Sequence, residues 1–79
     1  MKISQAVAER IRELTHSKGT TLYKIQQSSG LSQSTFNYLI YAKYKGVNLT
    51  TLITIIRTLG ISVDEFFKSP LFSEENLDD

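Results

Sequence analysis

Seventy-nine residues, 41% of them hydrophobic, make one small domain, and the absence of cysteine removes disulfides and thiolate metal sites from consideration. A chain of this size buries only about 60% of its unfolded surface, so its stability has to come from packed elements or from a partner subunit. No apolar run approaches the roughly 18 residues of a membrane span, no signal-peptide pattern opens the chain, and the expected location is cytoplasmic.

The net charge of +1 hides an uneven distribution, because Glu74, Glu75, Asp78 and Asp79 crowd the last seven residues. Residues 1–72 carry nine Lys and Arg against four acids. A basic body with an acidic end suits a polyanion binder, and it equally suits an ordinary solvated surface. The expected division is a folded domain over residues 1–72 and a disordered acidic tail over residues 73–79.

Apolar residues recur at three and four rather than at two, which predicts an all-α chain. In the first helix Val7, Ile11 and Leu14 follow i, i+4, i+7, with Ile3 one turn earlier, while Glu9, Arg12, Glu13 and His16 occupy other faces. Ser4 is the expected cap, and the helix should end near Lys18-Gly19. Thr21 caps a short second helix that turns Leu22 and Ile25 inward. Gly30 can take the left-handed conformation that ends it.

The third helix has the clearest start. Ser32 is its cap, and Leu31 and Phe36 stand at the positions of a hydrophobic staple. Phe36, Leu39 and Ile40 share one side. Gln33, Ser34, Asn37, Tyr38 and Tyr41 fill the other, which has no formal charge and many hydrogen-bonding groups.

Residues 41–47 form a basic, aromatic loop. Asn48 caps a fourth helix in which Leu49, Leu52, Ile53, Ile55, Ile56 and Leu59 cover a wide apolar arc, and Gly60 stops it. Ser62 and Glu65 stand as a capping box, and Ile61 and Phe66 as a second staple, for a short fifth helix before Pro70.

The segments Arg10-Ile11-Arg12-Glu13-Leu14, Ser29-Gly30-Leu31-Ser32-Gln33-Ser34-Thr35-Phe36, Leu49-Thr50-Thr51-Leu52 and Leu59-Gly60-Ile61-Ser62-Val63-Asp64-Glu65-Phe66-Phe67 come in a characteristic order and spacing. Through them residues 10–67 resemble the phage repressor and Cro family, also called xenobiotic-response-element-type regulators. The resemblance implies a five-helix, lambda-repressor-like DNA-binding domain with a helix-turn-helix at helices 2 and 3. It also implies double-stranded DNA as partner, with helix 3 in the major groove, and a small transcriptional regulator of phage or plasmid type acting as a repressor.

Carried over by position, Gln33, Ser34 and Tyr38 match the family's base-reading sites, with Asn37 beside them. Their chemistry agrees: Gln can bond bidentately to adenine, Ser can pair with either base, and Tyr can meet a phosphate or a thymine methyl. Lys43, Tyr44 and Lys45 match the backbone-contacting loop. Thr21, Thr35, Tyr41 and Asn48 complete the expected phosphate contacts.

The chain departs from the family's pattern at several positions. Leu22 stands where a phosphate-gripping Gln is frequent, Gln26 where a small Ala packs near the turn, and Ala42 where Gly follows helix 3. Thr15 and Ile40 replace an Arg–Glu pair, so both halves are gone together and no buried charge is orphaned.

Other readings stay open. Lys43 and Lys45 can grip phosphates or merely solubilise the loop. Ile53, Phe67, Leu71 and Phe72 can complete the core or form the seam of a homodimer. The same fold can also serve as a protein-binding module, such as an antitoxin or a regulator's partner. His16 has no converging partners, so it reads as surface, and Asp64 and Glu65 read as first-turn acids favoured by the helix dipole. No phosphate-cradling glycine loop or paired-carboxylate site is present, so neither enzymatic activity nor a cofactor or metal is expected.

Overall fold

The computed structural model describes residues 1–78, and Asp79, part of the expected acidic tail, lies outside them. Five α-helices follow in order: α1 (Ile3–Ser17), α2 (Leu22–Ser29), α3 (Gln33–Ile40), α4 (Leu49–Leu59) and α5 (Val63–Phe67). A single 3₁₀ turn, Pro70–Phe72, closes the fold, and no strand occurs among the described residues. The all-helical expectation is met.

The apolar phase read from the sequence is the phase of the core. Val7, Ile11 and Leu14 of α1, Ile25 of α2, Phe36, Leu39 and Ile40 of α3, Leu52, Ile55, Ile56 and Leu59 of α4, and Phe66 of α5 form one buried cluster. α1 packs on α3 and α4 on α2, so α4 lies against the first helix of the helix-turn-helix and α1 against the second. The outward side of α3 is thereby left free of other helices' cover, as its exposed Gln33, Ser34 and Tyr38 show.

The start of α1 differs from expectation. Ser4 is buried inside the first turn, and Lys2 takes the cap position. The Gln5 side chain supplies the acceptor, taking the Lys2 backbone N–H at 2.9 Å. Ser4 is then free to sit inward, beside the loop that follows α3.

The other caps act as read. Thr21, Ser32, Asn48 and Ser62 each accept the backbone N–H three residues on, at Lys24, Thr35, Thr51 and Glu65. For Ser62 and Glu65 this is one half of the expected capping box. The carbonyl end of α5 is closed from a distance. Arg10 donates through Nε to the Phe66 carbonyl at 2.7 Å and through its terminal nitrogen to the Glu65 carbonyl at 2.9 Å, while pairing with Glu13. A five-residue helix has too few internal bonds to satisfy its last carbonyls, and a guanidinium fork supplies a donor to Phe66 and a second one to Glu65, whose carbonyl also accepts the Lys68 N–H at 3.2 Å.

Residues 73–78 fold back on the start of the chain. The Met1 ammonium donates to the Asn76 carbonyl at 2.7 Å and pairs with Asp78 at 3.0 Å, and the Asp78 N–H returns to the Met1 carbonyl at 3.0 Å. That ammonium holds the Asp78 carboxyl below the usual carboxylate range. Asn76 adds a bond from its amide to the Leu71 carbonyl at 2.6 Å, so the segment is tied at both ends.

Candidate nucleic-acid interface

The turn between α2 and α3 is built from polar side chains that satisfy its backbone. Gly30 takes φ +74°, and the Ser29 hydroxyl donates to the Gln26 carbonyl at 2.7 Å and accepts the Leu31 N–H at 3.2 Å. Gln26, standing where a small residue was expected from the resemblance, donates its amide to the Leu31 carbonyl at 2.6 Å. Its bulk therefore lies along the turn and braces it.

α3 presents two sides. Phe36, Leu39 and Ile40 are buried, while Gln33, Ser34 and Tyr38 are exposed and Asn37 is half-buried. Gln33 and Asn37 join Tyr23, Gln26 and Tyr41 along a shallow groove between α2 and α3, floored by Leu22, Phe36 and Ile40. A row of amides between aromatic rims offers paired donors and acceptors with no fixed charge.

The end of α3 has two supports that the sequence did not reveal. Arg12, one turn before Thr15 in α1, donates to the Ile40 carbonyl at 3.0 Å and lies 5.3 Å from the Tyr41 ring centroid. It does for the backbone of α3 what the missing Arg–Glu pair would do for a side chain. A cation at a helix carboxyl end also meets the negative end of its dipole. Ala42, where Gly was expected, nevertheless takes φ +51°. Its N–H bonds the Leu39 carbonyl at 3.2 Å, and the next N–H, of Lys43, bonds the Tyr38 carbonyl at 3.1 Å. These are the two bonds of a Schellman ending made with alanine.

This reversal brings the loop back over α3. The Tyr44 ring stacks on Tyr38 with centroids 4.9 Å apart and planes 29° apart, and the Lys43 ammonium lies 5.4 Å from the Tyr38 centroid. The adjacent Tyr38 phenol raises the Tyr44 phenol above its ordinary value. Lys45 is exposed beside them.

The remaining expected phosphate contacts have structural duties first. The oxygens of Thr21 and Asn48 cap α2 and α4, and Thr35 accepts the Ser32 hydroxyl at 2.9 Å. All three are exposed, at helix starts whose free N–H groups suit an anion. Tyr23 was not singled out from the sequence, although it is an exposed aromatic lining the same groove as Gln33.

Of the four residues offered as a dimer seam, Phe67 is exposed and Ile53, Leu71 and Phe72 are half-buried. Phe67 and Phe72 pack on each other and on Phe66, with centroids 4.8–5.8 Å apart. Phe72 and Ile53 both rest against the core. Ile53 lines a separate shallow groove on α4 with Leu49, Thr50, Thr54 and Arg57. Phe67 stays 36% exposed, the most open side chain of its aromatic trio.

Among the described residues no group of three His, Cys, Asp or Glu could hold a metal ion, and His16 is exposed. No helix is long and apolar enough to cross a membrane.

Comparison with known proteins gives two results. Residues 10–70 match the Cro/C1-type HTH DNA-binding domain. Among solved structures, the prophage Lp1 protein 11 is similar, with a TM-score of 0.82 and 35% identity over 94% of this chain and 99% of that one. No curated protein matches.

Proposed function

The chain belongs to the Cro/C1-type helix-turn-helix DNA-binding family, and on that premise we propose that it is a sequence-specific repressor that reads bases with α3. The observation that carries this reading is the outer side of α3: uncharged, rich in amide and hydroxyl groups, and bordered by Lys43 and Lys45. Base edges offer donors and acceptors, whereas phosphates offer charge. A helix meant only for solvent or only for phosphate has no use for such a row of amides.

In this reading Gln33, Ser34, Asn37 and Tyr38 face the major groove. Gln33 and Asn37 suit adenine, and the absence of Arg or Lys from α3 disfavours guanine as the base beneath it. Lys43, Tyr44 and Lys45, Tyr41, and the helix starts at Thr21, Thr35 and Asn48 supply the backbone contacts. A domain seated on a promoter excludes other proteins by occupancy, so repression requires nothing beyond binding.

A single recognition helix covers few base pairs, so the reading includes a homodimer on half-sites about 34–36 Å apart. Phe67 is its best-placed contact, because Phe72 and Ile53 are already partly committed to the core.

Selection of preferred duplexes from random DNA tests the proposal. The expected result is a preferred site bound at least about a thousandfold more tightly than random DNA at the same salt. Equal binding to both, with co-purification of a protein partner, would instead assign the fold to protein binding.

A further inference from the structure

Discrimination between bases requires a side chain in one fixed pose, and a tyrosine on a helix surface has none by default. Tyr38 is 43% exposed on the outer side of α3, yet three features of the following loop converge on it. The Lys43 N–H is bonded to the Tyr38 carbonyl, the Lys43 ammonium lies near its ring, and the Tyr44 ring stacks on it. The left-handed turn at Ala42 makes this return possible. Tyr44 is itself 61% exposed, so the contact is not a by-product of core packing.

We infer that Tyr44 is a positioning residue for base choice, holding the Tyr38 ring in the pose that meets a pyrimidine 5-methyl group. The inference rests on the major-groove reading of α3. It moves Tyr44 from gripping a phosphate to setting specificity through its neighbour. An aromatic ring presented to the groove gains from a thymine methyl and gains nothing from uracil at the same place.

The test is a cycle that crosses protein and DNA. The base pair under Tyr38 is the one whose preference Tyr38→Ala relaxes in site selection. Uracil in place of thymine there should weaken binding by the native chain roughly fourfold, the burial of one methyl group. Tyr44→Ala should abolish that difference and leave binding to random DNA unchanged. Tyr44→Phe, which keeps the stack, should retain it, and circular dichroism should show both variants folded.

Full thymine-over-uracil discrimination by Tyr44→Ala overturns the inference. So does an equal loss by Tyr44→Ala on thymine, uracil and random duplexes with discrimination kept, which is the signature of a phosphate contact. A native chain with no preferred site at all overturns the major-groove reading, and this inference falls with it. A preferred site whose recognition ignores Tyr44 overturns the inference alone.

Discussion

Helices α4 and α3 both hand over to a residue with left-handed backbone, one a glycine and the other an alanine. After α4 the residue is Gly60 at φ +77°, and after α3 it is Ala42 at φ +51°. From Gly60 the chain runs inward, through the Ser62 cap to Phe66, which is fully buried. From Ala42 it runs outward, into Lys43, Tyr44 and Lys45, all exposed. The α4–α5 corner meets each backbone demand with a suited residue and contributes core. The α3 corner meets the same demand with a poorer one and contributes surface. Strain of this kind survives where the surrounding contacts over-determine the backbone, here two backbone bonds, Arg12 and the tyrosine stack. On the proposed reading stability and recognition are carried by different corners, and substitutions in each should separate the two.

The largest effect belongs to the inward corner. Phe66→Ala should cost about 3–5 kcal/mol, read as a lowered denaturation midpoint. A domain this small has little more than that to lose. Fully folded protein at low temperature should keep its ratio of specific to random DNA binding. A loss below about 1 kcal/mol would mean that the α4–α5 corner is not where stability is concentrated.

The outer side of α3 and the loop after it should respond in binding and not in folding. Gln33→Ala should cost about 1–3 kcal/mol on the preferred duplex and almost nothing on random DNA. Lys45→Ala should weaken both alike and make the log-affinity against log-salt slope shallower by about one. Neither side chain is buried, so the melting temperature should hold in both variants. An equal loss on specific and random DNA for Gln33→Ala would collapse the distinction between base-reading and phosphate-gripping positions.

What the sequence made legible was local. The caps at Thr21, Ser32, Asn48 and Ser62 and the left-handed Gly30 and Gly60 depend on neighbours within a few residues. The inward phase of Phe36, Leu39 and Ile40 follows from helical period alone. What it hid was the meeting of distant residues. Arg12 reaches Ile40 and Arg10 reaches Phe66 only once α1 is packed, and an arginine stem looks the same on any helix surface. The bonds that tie Asn76 and Asp78 to Met1 likewise join residues far apart in the chain. Ser4 was misread as a cap because serine suits that role, although Gln5 was at hand to perform it. At the interface, composition showed that α3 is uncharged on its outer side. It did not show that Tyr38 is already engaged by the loop.

The smallest expected effects come as a reciprocal pair at the two helix ends, and they address the comparison most directly. An L-residue in the left-handed region carries about 1–2 kcal/mol of steric cost that glycine avoids. Glycine in turn gives the unfolded chain more freedom, an opposing effect of about 0.4–1 kcal/mol. Ala42→Gly should therefore stabilise the protein by about 0.5–1 kcal/mol, a rise of several degrees in melting temperature for a domain of this size. Gly60→Ala should destabilise it by a similar amount. A Cβ added at Gly60 meets nothing within 4 Å, so its cost is the backbone's alone, whereas Ala42→Gly also gives up the packing of a half-buried methyl. Thermal melts of both variants check this. If Ala42→Gly also loosens the loop, the Tyr38–Tyr44 stack should weaken, and base discrimination should fall while stability rises. Such a split would identify the alanine as a stiffener of the recognition surface, held there at a cost to the fold. A gain in stability with discrimination intact would leave Ala42 as simple strain, with the stack alone fixing the loop. If Ala42→Gly instead lowers the melting temperature, the left-handed turn after α3 is not under strain, and the contrast between the two corners fails.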